Sequence, residues 1–415
     1  MAAPAAYAGE AAAIDKADTV WVLISTAMVM LMTPGLALFY GGMVRGKNVL
    51  GTIMHSFFIL CIISLQWVLW GYSLSFGADI GGLIGGLDFL GLKGVGMEPN
   101  GTLPHLLFMM FQGMFAIITV ALITGAFAER MKFSALVIFS VVWATVVYDP
   151  ICHWVWGGGW LGDLGALDFA GGTVVHISSG ISALAAALLI GKRKGYMKEP
   201  MPPHNLPMTL LGTGLLWFGW FGFNAGSALA ANGLAAMAFV TTNTSAAAAG
   251  ATWMFVEWAH RGKPTMLGLA SGAVAGLVAI TPAAGFVGPV SAIIIGIGAG
   301  IICYFMVGVV KPRLGYDDSL DVFGIHGTGG IWGALATGLF ASLAINSGGA
   351  DGLFFGSAQV LGKQVIAIVV SAAYSFVLTY VILKVIDLAI GIRVGAEDEA
   401  QGLDLSQHSE SGYIL

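Results

Sequence analysis

Residues 104–149 read PHLLFMMFQGMFAIITVALITGAFAERMKFSALVIFSVVWATVVYD. Two nearly uninterrupted apolar runs, 104–127 and 133–149, flank a short loop that carries Arg130 and Lys132. A helix needs about 20 mostly apolar residues to cross a bilayer, whereas the strands of a membrane β-barrel alternate apolar and polar residues. This stretch therefore predicts two transmembrane helices joined by a basic loop.

The composition of the whole chain extends this prediction. Of its 415 residues, 57% are hydrophobic and only 9% are charged, whereas a soluble domain carries about a quarter charged residues. The 17 Lys and Arg against 22 Asp and Glu give a net charge of −5, which excludes a nucleic-acid binder. The three cysteines are far apart and form no CxxC pair, so they predict neither disulfides nor a thiolate metal site. We expect an all-α polytopic membrane protein, not an enzyme, with no cofactor and no metal.

The length criterion applied along the chain predicts eleven transmembrane segments. Basic residues cluster in every odd-numbered loop, whereas the even-numbered loops contain little besides Lys93. Because cytoplasmic loops carry the excess of Lys and Arg, we expect a multi-pass protein of the inner (plasma) membrane, with the N-terminus outside and the C-terminus in the cytoplasm. The approximate limits of the segments are 19–43, 49–77, 104–127, 133–149, 169–191, 206–229, 235–259, 265–283, 288–310, 323–345 and 360–391.

The predicted organisation is a membrane domain, 1–391, followed by a cytoplasmic tail, 392–415. The polar composition of the tail is typical of a loose solubilising end, and a docking surface for a soluble partner is the alternative. The first 16 residues are Ala-rich and lack the basic and long apolar regions of an intact signal peptide. The remnant of a cleaved signal peptide stays open as an interpretation of them.

Two histidines lie at membrane depth, where a polar side chain is costly and therefore a candidate for function. His176, in DFAGGTVVHISSG, lies about eight residues into the fifth segment, and His326, in DVFGIHGTGG, lies similarly deep in the tenth. The two segments enter from opposite sides, so both histidines can reach the midplane. The separation of five segments predicts inverted repeats, about 19–191 and 206–345, around a central pore, with an additional span at 360–391. Two unrelated core histidines satisfied by their neighbours are the alternative.

The six remaining histidines lie closer to the predicted membrane surfaces. We interpret all of them as interfacial or structural: His105 and His153 on the outer side, His55 near the inner end of the second segment, and His204, His260 and His408 on the cytoplasmic side.

Five side chains are spaced to line one path towards the two membrane histidines. Phe111 and Phe115 are four residues apart and share one helix face, and Phe223 and Ser227 have the same spacing on a segment that runs the other way. Trp156, in HWVWGGGW, lies at the level of Phe111 and Ser227. We predict an outer cup of Trp156, Phe111 and Ser227 above a constriction of Phe115 and Phe223. Ordinary packing or an interfacial aromatic belt is the alternative.

Two acids, Asp168 and Asp321, begin the histidine-bearing segments. A carboxylate at a helix N-terminus accepts backbone N–H groups and is favoured by the helix dipole, so we expect both acids to cap their helices. Asp168 is closer to the predicted mouth, where holding a cation is a second expected role.

The layers of this path predict the chemistry of its substrate. An aromatic cup attracts a small N–H cation by about 0.5–2 kcal/mol, whereas moving a bare charge into hydrocarbon-like surroundings costs on the order of 20 kcal/mol in the idealised limit. A substrate that loses a proton and continues as a neutral molecule avoids this cost, which Na⁺ and K⁺ cannot do. Two alternatives use the same residues differently: a receptor for the cation that signals through the tail, and a membrane redox protein whose histidines bind haem.

Long motifs over nearly the whole chain resemble the ammonium transporters of the Amt/Mep/Rh superfamily, in particular the bacterial and archaeal Amt branch. Rhesus-type members typically lack the Trp and Ser of the outer cup, and both are present here. The motifs are PGLALFYGGMVRGKN (34–48), FQGMFAIITVALITGAFAER (111–130), HWVWGGGWLGDLGALDFAGGTVVH (153–176), GWFGFNAGSALAAN (219–232), DVFGIHG (321–327) and GLDLSQH (402–408).

The resemblance implies transport of ammonium or ammonia across the lipid bilayer, and it leaves the net transported species open. It also implies homotrimers with one pore per subunit, and a cytoplasmic face that PII signalling proteins block. Asp168 would be a structural acid that supports recruitment. The further roles that the resemblance implies are recruitment by Trp156, Phe111 and Ser227, gating by Phe115 and Phe223, and conduction by His176 and His326.

Overall fold

The long apolar runs fold as helices, because in a bilayer each backbone polar group must be satisfied within its own segment. The computed structural model of the chain describes residues 13–413, and the expectations for the first 12 residues lie outside this range. The α-helices are α1 (Lys16–Met43), α2 (Val49–Gln66), α3 (Tyr72–Phe76), α4 (His105–Ile123), α5 (Phe133–Trp143), α6 (Asp149–Trp156), α7 (Trp160–Leu164), α8 (Ser178–Ile190), α9 (Leu206–Gly226), α10 (Gly233–Arg261), α11 (Met266–Ile280), α12 (Pro289–Phe305), α13 (Lys311–Leu314), α14 (Thr328–Phe340), α15 (Ala358–Ile390), α16 (Ala396–Gln401) and α17 (Leu403–His408).

Shorter elements complete the chain. Between α3 and α4 lie two antiparallel pairs of very short strands, β1 (Asp79–Ile80) with β2 (Ile84–Gly85) and β3 (Pro99–Asn100) with β4 (Leu103–Pro104). The 3₁₀ turns are Gly46–Asn48, Leu90–Leu92, Thr124–Phe127 and Leu353–Phe355. Five further turns are π-helical, namely Trp67–Gly71, Ala144–Tyr148, Gly172–Ile177, Met306–Val310 and Phe323–Gly327.

Each of the eleven predicted segments overlaps a helix. Among the described residues, eight helical stretches are long and apolar enough to cross a membrane, which confirms the all-α membrane class. The helices α10, α11 and α14 lie in the predicted segments 235–259, 265–283 and 323–345 but are not among those eight. The count of eleven spans therefore stays a prediction.

Four of the five π-helical turns occur at corresponding places in the two predicted repeats, whereas Trp67–Gly71 in the second segment has no such counterpart among the described residues. Ala144–Tyr148 and the His176-bearing turn Gly172–Ile177 lie in the fourth and fifth segments, whereas Met306–Val310 and the His326-bearing turn Phe323–Gly327 lie in the ninth and tenth. π-Helical turns are rare and are often found at functional sites. Their matching order supports the repeat assignment, which remains a prediction.

Small residues bring α1 and α9, the first helices of the two predicted repeats, into close contact. A Cβ atom added to Gly212 would lie 2.3 Å from the backbone nitrogen of Phe39, and one added to Gly219 would lie 2.3 Å from Cγ of Met32. Glycine at such positions lets membrane helices approach closely. The facing surfaces of α1 and α9 then continue into the cavity described below.

The tail is folded against the helices, so the expectation of a loose polar end is wrong. The Asp404 carboxylate accepts the backbone N–H groups of Leu50 (3.1 Å) and Gly51 (2.8 Å) at the start of α2. The ammonium group of Lys47 donates to the backbone carbonyls of Glu399 (3.3 Å) and Ala400 (2.6 Å). Composition alone misses this docking, because an acid that caps a helix start elsewhere in the chain cannot be distinguished by composition from an acid exposed to solvent.

A buried ion cluster joins the loops on the face that carries the tail. Arg193 contacts both Asp317 (2.8 Å) and Glu129 (3.2 Å), and Glu129 also pairs with Arg45 (2.7 Å). Burial alone would raise the pKa of the Glu129 and Asp317 carboxyls, but the hydrogen bonds and charges of the arginines outweigh burial and lower both pKa values below their ordinary range. Both acids are therefore ionised at neutral pH and hold the loops together.

Candidate functional site

The structure brings His176 and His326 into direct contact. Their Nδ1 atoms lie 3.2 Å apart, and the ring centroids are 5.3 Å apart with an interplanar angle of 25°. Both side chains are buried, and each belongs to a π-helical turn, Gly172–Ile177 or Phe323–Gly327. In a hydrogen-bonded neutral pair one Nδ1 donates and the other accepts, so the rings are opposite tautomers.

Glycines permit this contact. A Cβ atom added to Gly180 would lie 2.0 Å from the backbone nitrogen of Gly327. A Cβ atom added to Gly330 would lie 3.1 Å from both Cβ of His176 and the carbonyl oxygen of Gly172. The two histidine-bearing helices can thus approach until the imidazoles touch, because no side chain separates their backbones.

A narrow, mostly apolar cavity adjoins the two rings. The space open to the centre of a water-sized molecule is about 10 Å³, which corresponds to roughly one such molecule. Nε2 of His176 is buried and has no hydrogen-bond partner among the residues that the structure describes. The cavity is lined by Met32, Leu36, Phe39, Ile118, Leu122, Val175, His176, Leu216, Trp220, Phe223, Val274 and His326.

Trp220 is a cavity residue that the sequence reasoning missed. Its indole ring stacks on the His176 imidazole with the centroids 5.4 Å apart and an interplanar angle of 20°. Its Nε1 donates to the Thr281 hydroxyl at 2.9 Å, which fixes the indole in the stacked position. Trp220 stands in the quoted motif GWFGFNAGS, three residues before Phe223, so its helical spacing offered a usable signal.

Phe115 and Phe223 form the layer next to His176. Their ring centroids are 4.3 Å apart, and Phe223 in turn lies 6.1 Å from the His176 ring. On its other side Phe115 contacts Phe111 at 5.0 Å and Trp156 at 5.8 Å, both edge to face. The predicted sequence of layers is therefore present as one continuous chain of ring contacts, with Phe115 at its centre.

The three residues of the predicted cup differ in how they are held. Trp156 is 8% exposed and Phe111 is fully buried, whereas Ser227 is half-buried. The Ser227 hydroxyl donates to the backbone carbonyl of Phe223 at 2.8 Å. Because its proton is already engaged, the oxygen lone pairs of Ser227 remain available to accept a hydrogen bond from an N–H cation.

Asp168 caps the start of the His176-bearing turn. The side chain is buried, and each of its two carboxylate oxygens already accepts two backbone N–H groups, so the carboxylate is not free to bind a cation in the mouth. The backbone carbonyl of Asp168 accepts Nε1–H of Trp156 at 3.0 Å. We therefore interpret Asp168 as support for the cup and the helix rather than as a direct ligand. Its carboxylate accepts the backbone N–H groups of Gly171 (2.8 Å), Gly172 (2.7 Å), Thr173 (2.8 Å) and Val174 (3.1 Å).

The predicted capping role of the Asp321 side chain is wrong. Its carboxylate pairs with Lys311 at 2.6 Å, and its backbone has a φ of +62°. Asp318 caps the His326-bearing turn instead, because its Oδ2 accepts the backbone N–H of Phe323 at 2.7 Å. Burial raises the pKa of the Asp318 carboxyl to about 6.

Asp168 and Asp318 occupy corresponding places in the two predicted repeats. Asp168 and Asp318 each precede their histidine, His176 or His326, by eight residues in the chain. Each carboxylate also accepts the backbone N–H five residues further on, Thr173 in one half and Phe323 in the other. Asp321 was predicted because it begins the His326-bearing segment, although the eight-residue spacing of Asp318 is also readable from the sequence.

The six other histidines make contacts of the structural kind predicted for them. Two of them are fully buried rather than interfacial, namely His55 and His153. Their partners are Asp79 and the Ser75 carbonyl for His153, Tyr72 and Glu98 for His105, Phe133 for His55 and for His408, Tyr413 and the Val44 carbonyl for His204, and Tyr304 for His260.

The geometry does not fit the haem alternative. Two axial nitrogens on one iron stand about 4 Å apart on opposite sides of it, given metal–nitrogen bonds of about 2 Å. The facing nitrogens of His176 and His326 are only 3.2 Å apart and contact each other directly. Within residues 13–413, no group of three or more His, Cys, Asp or Glu side chains is arranged to hold a metal ion.

Comparison with known proteins places this site in a family context. The sequence model described as "Ammonium Transporter Family" matches residues 20–413. An "Ammonium transporter" of Bacillus subtilis is 57% identical over 96% of this chain and 99% of the relative. "Ammonium transporter Amt1" of Archaeoglobus fulgidus is 53% identical over 96% of this chain and 100% of the relative.

Solved structures share the fold. Candida albicans Mep2 is 40% identical and superposes with a TM-score of 0.89, covering 97% of this chain and 94% of that chain. A protein described as "Sensor Amt Protein" is 32% identical and also superposes with a TM-score of 0.89, covering 94% of this chain and 98% of that chain.

Proposed function

This chain belongs to the ammonium transporter family, and from that premise we propose how its residues move ammonium nitrogen across the membrane. The cation is recruited at Trp156, Phe111 and Ser227, loses a proton near Phe115 and Phe223, and continues as a neutral molecule past His176 and His326. The observation that carries this proposal is the contact of the two imidazoles beside a cavity with room for about one water-sized molecule.

Recruitment relies on the cup. The Trp156 and Phe111 rings attract an N–H cation through their quadrupoles, by about 0.5–2 kcal/mol when it is partly desolvated. The free lone pairs of the Ser227 hydroxyl accept a hydrogen bond from an N–H group of the cation, because the hydroxyl already donates its hydrogen to the backbone carbonyl of Phe223. The cup therefore concentrates N–H cations over cations that cannot donate hydrogen bonds.

The ammonium ion loses its proton at the Phe115 and Phe223 layer, because moving its charge past this layer costs too much free energy. The Phe115 and Phe223 rings, 4.3 Å apart, form an apolar layer next to the imidazoles. An isolated charge there loses its hydration, at an effective cost of several kcal/mol per ion, which the cup attraction does not offset. An ammonium ion can give a proton to Nε2 of His176 and proceed as ammonia. This nitrogen can accept the proton in the tautomer that carries its hydrogen on Nδ1, because it is a buried polar atom without a protein partner among the described residues.

The experiment that tests the proposal measures flux through the purified protein in liposomes. Wild-type protein should catalyse uptake of methylammonium down an imposed gradient, and His176→Ala with His326→Ala should abolish that uptake. A folded double variant with wild-type uptake would contradict the role of the histidine pair. Binding of methylammonium without any wild-type flux would instead favour the sensor alternative.

We also infer the assembly and orientation that the family resemblance implies. These are a homotrimer with one pore per subunit, an inner-membrane location with the tail in the cytoplasm, and a PII signalling protein as partner of the tail-bearing face. The docked α16 and α17 support the last inference, because they present an ordered surface beside the basic loops. Native mass spectrometry, protease accessibility of the tail in oriented vesicles, and co-purification with PII test these three points separately.

A further inference from the structure

Gln364 is a buried amide side chain in α15 that no step of the proposed pathway uses. It is 1% exposed, so its polar atoms need protein partners. Its Oε1 accepts the backbone N–H of Leu167 at 2.7 Å, and its Nε2 donates to the carbonyl of the same Leu167 at 2.8 Å. Nε2 also lies 3.2 Å from the carbonyl of Ala334 in α14.

The two bonds to Leu167 constrain the loop strongly. Pairing with both the N–H and the C=O of one residue is how a neighbouring β-strand holds its partner. Such pairing fixes the rotation of the Leu167 backbone as well as its position. The next residue is Asp168, so the orientation of Leu167 sets where the Asp168 carbonyl and carboxylate point.

Asp168 passes this constraint to the site. Its carbonyl holds the Trp156 indole through a hydrogen bond of 3.0 Å, and its carboxylate caps the His176-bearing turn. From the other half, Ala334 follows His326 by eight residues along one helical stretch. Gln364 therefore joins the loop beneath the cup to the His326-bearing stretch, from a helix outside both predicted repeats.

We propose that Gln364 is a positioning residue for recruitment, acting through Leu167 and Asp168 on the orientation of Trp156. This inference rests on the proposed function and adds a residue that does not touch the substrate. Without Gln364, Leu167 loses its two hydrogen bonds to α15, and the Trp156 ring is no longer fixed in its position within the cup. Gln364 bonds neither histidine directly, and the helices of His176 and His326 approach each other at Gly180 and Gly330, so we expect the maximal rate to depend on Gln364 less than the affinity does.

The test compares the effect of each variant on KM with its effect on the maximal rate of methylammonium uptake. In proteoliposomes, Gln364→Ala should raise the KM for methylammonium at least fivefold while the maximal rate changes less than twofold. Gln364→Met, which keeps the volume and removes the polar atoms, should do the same and guards against a packing defect. Thr379→Val is the matched control, because it removes buried hydrogen bonds of 2.7 Å to Ser182 and 2.9 Å from Trp143 at the other end of α15. Its KM should stay unchanged.

A double-mutant cycle shows whether Gln364 acts through Trp156. In a Trp156→Leu background, Gln364→Ala should have no further effect on KM. An unchanged KM in folded Gln364→Ala and Gln364→Met proteins would overturn the proposal, as would a KM effect that persists in full without Trp156. Absence of uptake by the wild-type protein would reject the proposed function itself, which is a different result.

Discussion

Replacing Gly180 by Ala tests the contact between the histidines without altering either ring. The added Cβ would lie 2.0 Å from the backbone nitrogen of Gly327 and 2.3 Å from its Cα, whereas an ordinary contact begins at 3.4 Å. Both obstructing atoms belong to backbone, so the helices must separate by about 1.4 Å for the Cβ to fit. Applied to the pair, a shift of this size moves the Nδ1 atoms from 3.2 Å to about 4.6 Å, beyond hydrogen-bond range.

Two costs are expected from this separation. Overpacking a close helix contact typically destabilises a protein by about 1–3 kcal/mol, which leaves most folded proteins intact. The loss of the shared hydrogen bond removes the path between the imidazoles, so methylammonium uptake should fall at least tenfold, about 1.4 kcal/mol in the barrier.

The assay is the initial rate of methylammonium uptake into proteoliposomes, with a thermal melt to confirm that the variant is folded. Gly214→Ala is the matched control, because a Cβ at that position has no atom within 4 Å. Its uptake should equal that of the wild type. A folded Gly180→Ala protein that transports at the wild-type rate would refute the argument that conduction needs the imidazoles in contact.

Two further predictions concern the face that carries the tail. Because the pKa values of Glu129 and Asp317 are lowered in the folded protein, their ion pairs with Arg193 stabilise it above the unfolded pKa values of about 4, and this stabilisation is lost as the pH falls through the folded values. The raised pKa of Asp318 acts in the opposite direction between about pH 6 and pH 4, so the ion pairs are measured by the difference in melting temperature between the wild type and Glu129→Gln in detergent. This difference should be level from pH 7 to about pH 5 and shrink below about pH 4; a difference that grows on acidification would contradict this sign. Asp404→Ala should free the tail from the start of α2, at a cost of about 1 kcal/mol for the lost cap, and hasten tryptic cleavage after Arg393; equal cleavage of wild type and variant would show that the tail is held elsewhere.

Much of the architecture could be predicted from the sequence because bilayer physics acts on single segments. Uninterrupted apolar runs, such as those around Arg130, must be helical, and membrane depth isolates His176 and His326 as costly residues. Spacing of four residues also placed Phe115 on one helix face with Phe111, and Phe223 on one helix face with Ser227. Each of these inferences needs only local spacing and the thickness of a membrane.

The parts that could not be predicted depend on contacts between distant segments. Gln364 looks like an ordinary polar residue near a helix end until its partner Leu167, almost 200 residues away, is known. Asp318 and Asp321 are the same residue type three positions apart, and the eight-residue spacing that Asp318 shares with Asp168 is informative only once the backbone shows that Asp318 faces the helix start. The prediction of a loose tail is wrong for the same reason, because Asp404 caps a helix that begins more than 350 residues earlier in the chain.

The hydrogen bond within the histidine pair has a consequence for charge movement. Only one hydrogen fits between two nitrogens 3.2 Å apart, so at any moment one ring presents a bare Nε2 and the other presents Nε2–H. When the bare Nε2 of one ring accepts a proton, that ring passes its Nδ1 hydrogen to the other ring, which releases the hydrogen on its own Nε2. Each ring is then in the tautomer that the other had before. The pair cannot accept a second proton from the same side until both tautomers have reversed. Each ammonium ion supplies one proton and one nitrogen, so a relay fed only by the transported ammonium moves at most one charge per nitrogen. Simultaneous recording of current and methylammonium uptake in the same liposomes measures this ratio, and a value above one would show that protons other than those of the transported substrate cross the membrane.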